Sequence, residues 1–403
     1  MIKALRGMKD VLFEESSKFT HFIEVASRVA KNYGFEYIET PLLEETNLFK
    51  RSVGESSDIV NKEMYQFIDK GKNDVCLRPE GTAGVVRAFI EKKLDRINTT
   101  NRFFYHGAMF RYERPQKGRL REFHQFGVES FGESNVYEDA NVILMVNEIF
   151  SQLNIKFKLK LNSLGCPECM PEYRENLIKN LKSFEDKLCL DCQRRIEQNP
   201  IRVLDCKNKS CQELIKESPK LIDNLCQSCD SDFSKLKAIL KSNDLDFEID
   251  THLVRGLDYY SKTAFEFVSD EIGAQSAIAG GGRYDRLIEF LDGRATPAVG
   301  FAIGIERILD LIKVDESSLN GIYFGALDEN YLDLVFQKAT QKRKDTKVFV
   351  EYSKKSLKAH LKGANKQKAK HCAVIGENEA NESKIWVKNL EDSNEELIDF
   401  NSF

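Results

Sequence analysis

The 403-residue sequence predicts an α+β protein, in which an antiparallel sheet flanked by helices is interrupted by a cysteine-rich insertion and followed by a C-terminal α/β domain. Three observations predict this. Apolar residues alternate with period two over residues 101–131, eight of the ten cysteines fall between residues 166 and 240, and short apolar strands alternate with helical stretches after residue 320. The boundaries that follow are 1–165 and 241–315 for the two parts of one sheet-bearing domain, 166–240 for the insertion and 318–403 for the last domain. With 41% apolar residues over this length, each part can bury a core.

In chain order, Phe19, Phe22, Ile23, Ala26, Val29 and Ala30 recur at three- and four-residue spacing. That pattern predicts an amphipathic helix running from a Ser16 or Ser17 cap to Gly34. Residues 35–40 read as a strand ended by Pro41, which has no N–H to donate. Residues 102–113 and 122–131 read as a long hairpin around the loop RPQKGRLR. Pleating puts Phe123, Gln125, Gly127 and Glu129 on one face and His124, Phe126 and Val128 on the other. The same parity brings Arg111 and Glu113 beside Gln125 and Glu129, a set suited to an ordered polar ligand. Cross-strand ion pairs on a solvated sheet give the same pattern. Arg114, Lys117, Arg119 and Arg121 give the loop the composition of a phosphate-contacting lid. Further on, IAGGGRYD reads as strand, glycine turn and helix, and VGFAIGIERI as a strand running straight into a helix. Arg307 falls in the first turn of that helix, where dipole and guanidinium can both meet an anion.

Sixty Lys and Arg against 64 Asp and Glu leave a net charge of −4, so a polyanionic partner has to be held by local patches. One such patch is residues 354–370, with seven lysines and no acid. Lys354, Lys358, Lys362, Lys366 and Lys370 recur every fourth residue, as a basic row opposite Leu357, Leu361 and Ala364 on a helix. A solvated face has the same signature. The charged N-terminus MIKALRGMKD and the absence of a long apolar run predict a cytoplasmic protein without membrane association. Cys166 and Cys169, Cys189 and Cys192, and Cys226 and Cys229 are CxxC pairs, with Cys206 and Cys211 a wider fourth pair. Eight thiolates suffice for two tetrahedral structural Zn²⁺ sites, and reduced cysteines packed in a core account for them too. Cys76 and Cys372 stand alone and read as core residues.

Several of these peptides together resemble one family. FRYERPQKGRLREFHQFGVE is similar to motif 2 of the class II aminoacyl-tRNA synthetases and VGFAIGIERI to their motif 3. The first helix and the strand ending at Pro41 resemble motif 1, the dimer-forming element. LVRGLDYY and AGGGRYD resemble the two signature peptides of the histidyl-tRNA synthetases, and LRPEGTAG extends the likeness over most of residues 1–315. The resemblance implies a homodimeric ligase that converts L-histidine and ATP, with Mg²⁺, to histidyl-adenylate and pyrophosphate and then charges tRNA(His). It implies that Glu80, Thr82 and Gln125 hold the α-amino group, that Glu129 and Tyr260 address the imidazole and that Tyr259 shapes the pocket. Gly81, Arg111 and Arg255 complete the histidine site. ATP is expected on Arg111, Glu113, Arg119 and Arg307, with Phe123 stacked on adenine, and Arg255, with Arg111 and Arg307, is the expected catalytic group. Gln116 would meet the acceptor end of the tRNA, and Lys354, Lys358 and Lys362 the anticodon stem, which makes the last domain an anticodon-binding one. The competing reading is an inactive histidine-binding paralogue that regulates ATP phosphoribosyltransferase. Such paralogues lose signature residues and the terminal domain, both of which are present here.

Overall fold

In the computed structural model, residues 2–54, 57, 59–204, 206, 208–253, 259–272, 277–313 and 319–403 are described. They divide into two units, Met1–Lys313 and Val314–Phe403.

The first unit is built on eight strands: β1 Glu36–Tyr37, β2 Asn101–Phe110, β3 Glu122–Phe131, β4 Lys158–Ser163, β5 Glu248–Ile249, β6 Ser261–Val268, β7 Ala277–Arg283 and β8 Ala298–Gly304. Their order across the sheet is β1-β2-β3-β8-β7-β6-β4-β5. The six inner strands are antiparallel, as expected, while the short edge strands β1 and β5 run parallel to their neighbours. Four helices matter for the site: α1 Phe13–Asn32, α2 Thr82–Glu91, α3 Val136–Gln152 and α4 Ile305–Leu309. Helix α1 buries Phe22, Val25, Ala26, Val29 and Ala30, and Phe22 meets Phe126 of β3 edge-on at 6.1 Å between ring centroids. It begins earlier than the serines suggest. Leu12 precedes it with no side-chain cap, and Glu14 and Glu15 complement the helix dipole in the first turn instead.

Two further expectations are corrected by the pairing. Strand β2 pairs with β3 only from Asn101–Phe131 to Phe110–Glu122, so the connection comprises residues 111–121 rather than 114–121. Gly280, Gly281 and Gly282 are not a turn but lie inside β7, paired on both sides. The reason is backbone proximity: a Cβ on Gly281 would lie 2.1 Å from the Gly300 carbonyl oxygen, and one on Gly282 2.3 Å from that of Thr263.

Helices Met170–Lys182, Leu190–Gln198, Lys209–Ile215 and Gln227–Ser242 occupy the stretch between β4 and β5. They enclose a core of Tyr173, Leu177, Leu181, Ile196 and Leu221 together with the cysteines. The last of them packs along α3.

The second unit is a five-stranded sheet of order β10-β9-β11-β12-β13, from β9 Ile322–Ala326, β10 Val348–Val350, β11 His371–Ile375, β12 Lys384–Asn389 and β13 Glu395–Asp399. The first three are parallel, connected by helices α5 Leu332–Lys342 and α6 Leu357–Lys366. The Ser356 hydroxyl accepts from the Ala359 N–H and starts α6 there. Lys354 therefore precedes the helix, and Lys370 follows it, 3.0 Å from Glu391, so the helical part of the basic row is Lys358, Lys362 and Lys366. Its buried face is His360 and Ala364; Leu357, expected there, is 38% exposed. Among the described residues no helix is long and apolar enough to cross a membrane.

Candidate active site

Strands β3, β8 and β7 lie side by side in the middle of the first sheet, and on them sits a cavity of about 250 Å³. Its floor is bare because Gly280, Gly300, Ala302 and Gly304 contribute almost no side chain. Its walls are polar residues delivered by the hairpin, by the start of α2 and by the segment before β6.

Glu129 is the most enclosed of these, at 1% exposure. One carboxylate oxygen accepts from the Thr82 hydroxyl at 2.7 Å and the Tyr105 hydroxyl at 3.3 Å, and the other accepts from the Tyr284 hydroxyl. Burial outweighs these donors and pushes the carboxyl up to about 8. The room it occupies depends on Gly300, where a Cβ would lie 2.2 Å from Glu129 Oε2. Tyr260 and Tyr284 both pack against Tyr259, with centroids 4.7 and 5.4 Å from it. Nearby, Glu80 accepts the backbone N–H groups of Thr82 and Ala83 at 2.7 and 2.8 Å and so caps α2, yet burial still raises its carboxyl. Gln125 Oε1 is buried without a hydrogen-bond partner among the described residues, an acceptor suited to a donor from a ligand.

The remainder of the cavity is cationic and aromatic. The Arg111 guanidinium lies over Phe123, 5.2 Å from the ring centroid, and its Nε donates to the Pro79 carbonyl at 2.9 Å. Arg307 reaches from α4, donating to the carbonyl oxygens of Gly118 at 3.1 Å and Ala277 at 2.7 Å. Burial, with Arg119 and Arg111 nearby, lowers its pKa, and a polyanion would relieve that crowding. Glu113 and Glu266 add carboxylates to the lining.

Of the residues expected at the site, Glu80, Thr82, Arg111, Glu113, Phe123, Gln125, Glu129, Tyr259, Tyr260 and Arg307 line this one cavity. Three others stand beside it. Gly81 packs under Tyr105, where a Cβ would meet the ring at 2.2 Å; Arg119 is held 3.1 Å from Glu113; and Gln116 forms a tight turn with Arg119. Arg255 lies outside the described residues. His124 turns away from the cavity, with its ring Nδ1 2.8 Å from Glu306 and Phe19 edge-on at 5.1 Å.

Sequence reasoning missed Tyr105, Tyr284, Glu266 and Gly300's steric role. The parity of β2 could have found Tyr105, since it faces Gly127 across the hairpin. Arg283, next to Tyr284, is also buried, paired with Asp139 of α3 at 3.0 Å and donating to the Glu133 carbonyl at 3.0 Å.

The cysteines form two separate groups. Cys166, Cys169, Cys226 and Cys229 make a first cage and Cys189, Cys192, Cys206 and Cys211 a second, the sulfurs of each lying within 4.8 Å of one another. All eight are free thiols. Cys166 Sγ is 3.7 Å from the sulfurs of both Cys169 and Cys226, and Cys189 Sγ is 3.9 Å from that of Cys206. Four sulfurs at about 2.3 Å from a tetrahedral Zn²⁺ would be about 3.8 Å apart, so the spacing fits the ion, whereas a disulfide needs about 2.05 Å. In each cage one sulfur also accepts a backbone N–H at 3.2 Å, Cys169 from Cys226 and Cys211 from Cys189.

Comparison with known proteins agrees along the whole chain. The family described as histidyl-tRNA synthetase matches residues 7–308, and the one described as anticodon binding domain matches residues 328–403. A histidine–tRNA ligase of Sulfurimonas denitrificans is 67% identical over 398 residues, covering 99% of each chain. One of Campylobacter jejuni is 60% identical over 400 residues, covering 99% of this chain and 98% of its own. The crystal structure of apo Staphylococcus aureus histidyl-tRNA synthetase superposes with a TM-score of 0.83 at 33% identity, over 100% of this chain and 98% of that one.

Proposed function

The chain belongs to the histidyl-tRNA synthetase family and is a histidine–tRNA ligase, and we propose that the cavity on β3, β8 and β7 is where it activates histidine. The match of residues 328–403 to an anticodon-binding domain argues against the regulatory paralogue.

In the first step the carboxylate of histidine attacks the α-phosphorus of ATP and pyrophosphate departs. That nucleophile is an anion at neutral pH, so the site has to align it and neutralise charge rather than remove a proton. Glu80 and the unpaired Gln125 Oε1 suit the α-ammonium group, with Thr82 between Glu80 and Glu129. Imidazole presents one donor and one acceptor nitrogen, and Glu129 with Tyr260 answers both. An analogue without those nitrogens would forgo the bonds that histidine makes to both groups, which makes the site selective without an editing step. Phe123, sandwiched against Arg111, offers a stacking surface to adenine, and Arg111 and Arg307 face the phosphates, where Glu113 and Glu266 can take the Mg²⁺ that accompanies ATP. Arg255 is assigned to the α-phosphate by its place in LVRGLDYY, and Arg119 holds Glu113 in position. In the second step histidine passes to the terminal ribose of tRNA(His).

The observation that carries this reading is Glu129, buried among three hydroxyls in the same cavity that Arg111 and Arg307 line. ATP–pyrophosphate exchange with each amino acid in turn tests it. Exchange with histidine alone is expected; exchange with any other amino acid would refute it.

The remaining parts follow from the same reading. Both cysteine cages hold structural Zn²⁺, which contributes four sulfur bonds per site and no step of the reaction. Lys358, Lys362 and Lys366 on α6, with Lys354 before it, track phosphates of the anticodon stem, and Gln116 meets the acceptor end. Helix α1 and strand β1, the segments that resemble motif 1, are the homodimer-forming element, with Tyr37 exposed on β1. The protein works in the cytoplasm, where tRNA is charged and thiols stay reduced.

A further inference from the structure

We propose that the two cysteine cages do different work: the first, when it holds its metal, is a positioning device for the histidine pocket, and the second serves only the insertion. This rests on the reading of both cages as zinc sites.

The first cage is joined to the pocket from two directions. Cys166 lies three residues beyond the end of β4, and the residues between continue the β4–β6 ladder. Leu164 N–H donates to the Lys262 carbonyl at 2.6 Å, and Lys262 N–H donates to the Gly165 carbonyl at 2.7 Å. Lys262 is two residues after Tyr260, which itself packs against the apolar core that contains Leu164, Cys169 and Ala264. Gly165 takes a φ of +61°, and a Cβ there would meet Cys169 Sγ at 3.1 Å, so this loop is moulded around the cage.

The second direction runs through helix Gln227–Ser242. Cys229 on its first turn borders a narrow void shared with Asp139, Lys262, Thr263 and Arg283. Asp232, one turn further, lies 3.5 Å from Lys262. Arg283 is followed directly by Tyr284, the donor to Glu129. Metal in the first cage therefore fixes the Cys166–Cys169 loop against the start of this helix, and both abut the backbone that carries Tyr260 and Tyr284. Among the described residues the second cage shares only that apolar core, through Cys192, Cys206 and Cys211; none of its cysteines borders the void, and none lies on the ladder to β6. Its four cysteines lie within residues 189–211, and the hydrogen bonds of its thiols among the described residues stay within the cage.

The test uses the full chain purified without chelator. Metal analysis should give two Zn²⁺ per chain, falling to one in Cys166→Ser/Cys226→Ser and to one in Cys189→Ser/Cys206→Ser; absence of metal from the parent would defeat the zinc reading itself. In pyrophosphate exchange the first pair should raise KM for histidine about tenfold or more while KM for ATP stays within about twofold, because small displacements of a binding group carry losses of this size. The second pair should leave both constants within about twofold. Equal effects of the two pairs, or an unchanged histidine KM after loss of the first Zn²⁺, would overturn the proposal. Should the first pair not fold, Asp232→Asn tests the same linkage: it should keep both metals and raise KM for histidine about threefold by removing the ionic tether between helix Gln227–Ser242 and the Lys262 side chain. No change in that constant would likewise overturn it.

Discussion

Replacing Glu129 by Gln should abolish a large part of the pH dependence of stability. Burial pushes the Glu129 carboxyl from 4.5 to about 8. Between those values the unfolded chain is ionised at this residue while the native protein keeps the proton. A folded pKa above the unfolded one gives stability that is complete below about 4.5 and is lost as pH rises through about 8. Keeping the proton over that interval is worth about 5 kcal/mol, of which about 3 kcal/mol is lost between pH 5 and pH 8. Glutamine occupies nearly the same volume and never ionises. Urea unfolding of parent and Glu129→Gln at pH 5, 6, 7 and 8, followed by circular dichroism, isolates the effect as a difference, since groups such as Glu80 titrate in both. The variant should gain about 3 kcal/mol on the parent across that range. Parallel stability curves would refute the account of Glu129 as a carboxyl kept neutral by burial. Histidine binding extends the same reasoning: an imidazole N–H favours the ionised form, so binding at pH 7 should release a proton from the parent, and calorimetry in buffers of different ionisation enthalpy should detect it.

Other perturbations have equally definite outcomes. Gly300→Ala places a Cβ 2.2 Å from Glu129 Oε2 and 2.3 Å from the Val128 carbonyl oxygen; it should cost about 1–3 kcal/mol in thermal unfolding and raise KM for histidine. Asp139→Asn removes the more buried of the two carboxylates paired with Arg283, leaving Asp285 at 3.2 Å, and should destabilise the first unit by up to about 3 kcal/mol, read by chemical denaturation. Exchanging Lys358, Lys362 and Lys366 for Gln should weaken tRNA binding and reduce the slope of log affinity against log salt by about 2–3, with pyrophosphate exchange unchanged; an unaltered slope would remove α6 from the tRNA contact.

The parts of the fold that were legible before any coordinates are those with a strict local period. Alternation through residues 101–131 gave away both the hairpin and which side chains share a face, because a pleated strand leaves no third choice. Distances in space were not legible. The spacing of the CxxC pairs suggested metal but not that Cys166 and Cys169 close on Cys226 and Cys229 across nearly sixty residues. The glycines of β7 read as a turn because a single chain does not reveal how closely neighbouring carbonyls approach. Tyr105 and Tyr284 become visible as site residues only once their hydroxyls are seen to converge on one carboxyl. Lys354 and Lys370 fell in register with the helical lysines by number alone, and Ser356 decides where the helix starts.

The bare centre of the sheet has a bearing on descent. At Gly281, Gly282 and Gly300 the obstacles to a larger residue include carbonyl oxygens of the adjoining strands, which cannot swing aside as a side chain would. Those positions are thus demanded by the architecture whether or not anything is ever bound there. A descendant that gave up catalysis could shed its acids and arginines one after another and still be obliged to keep these gaps. Glycines in this fold testify to a shared scaffold, whereas the buried acid and the cations around it testify to a working enzyme.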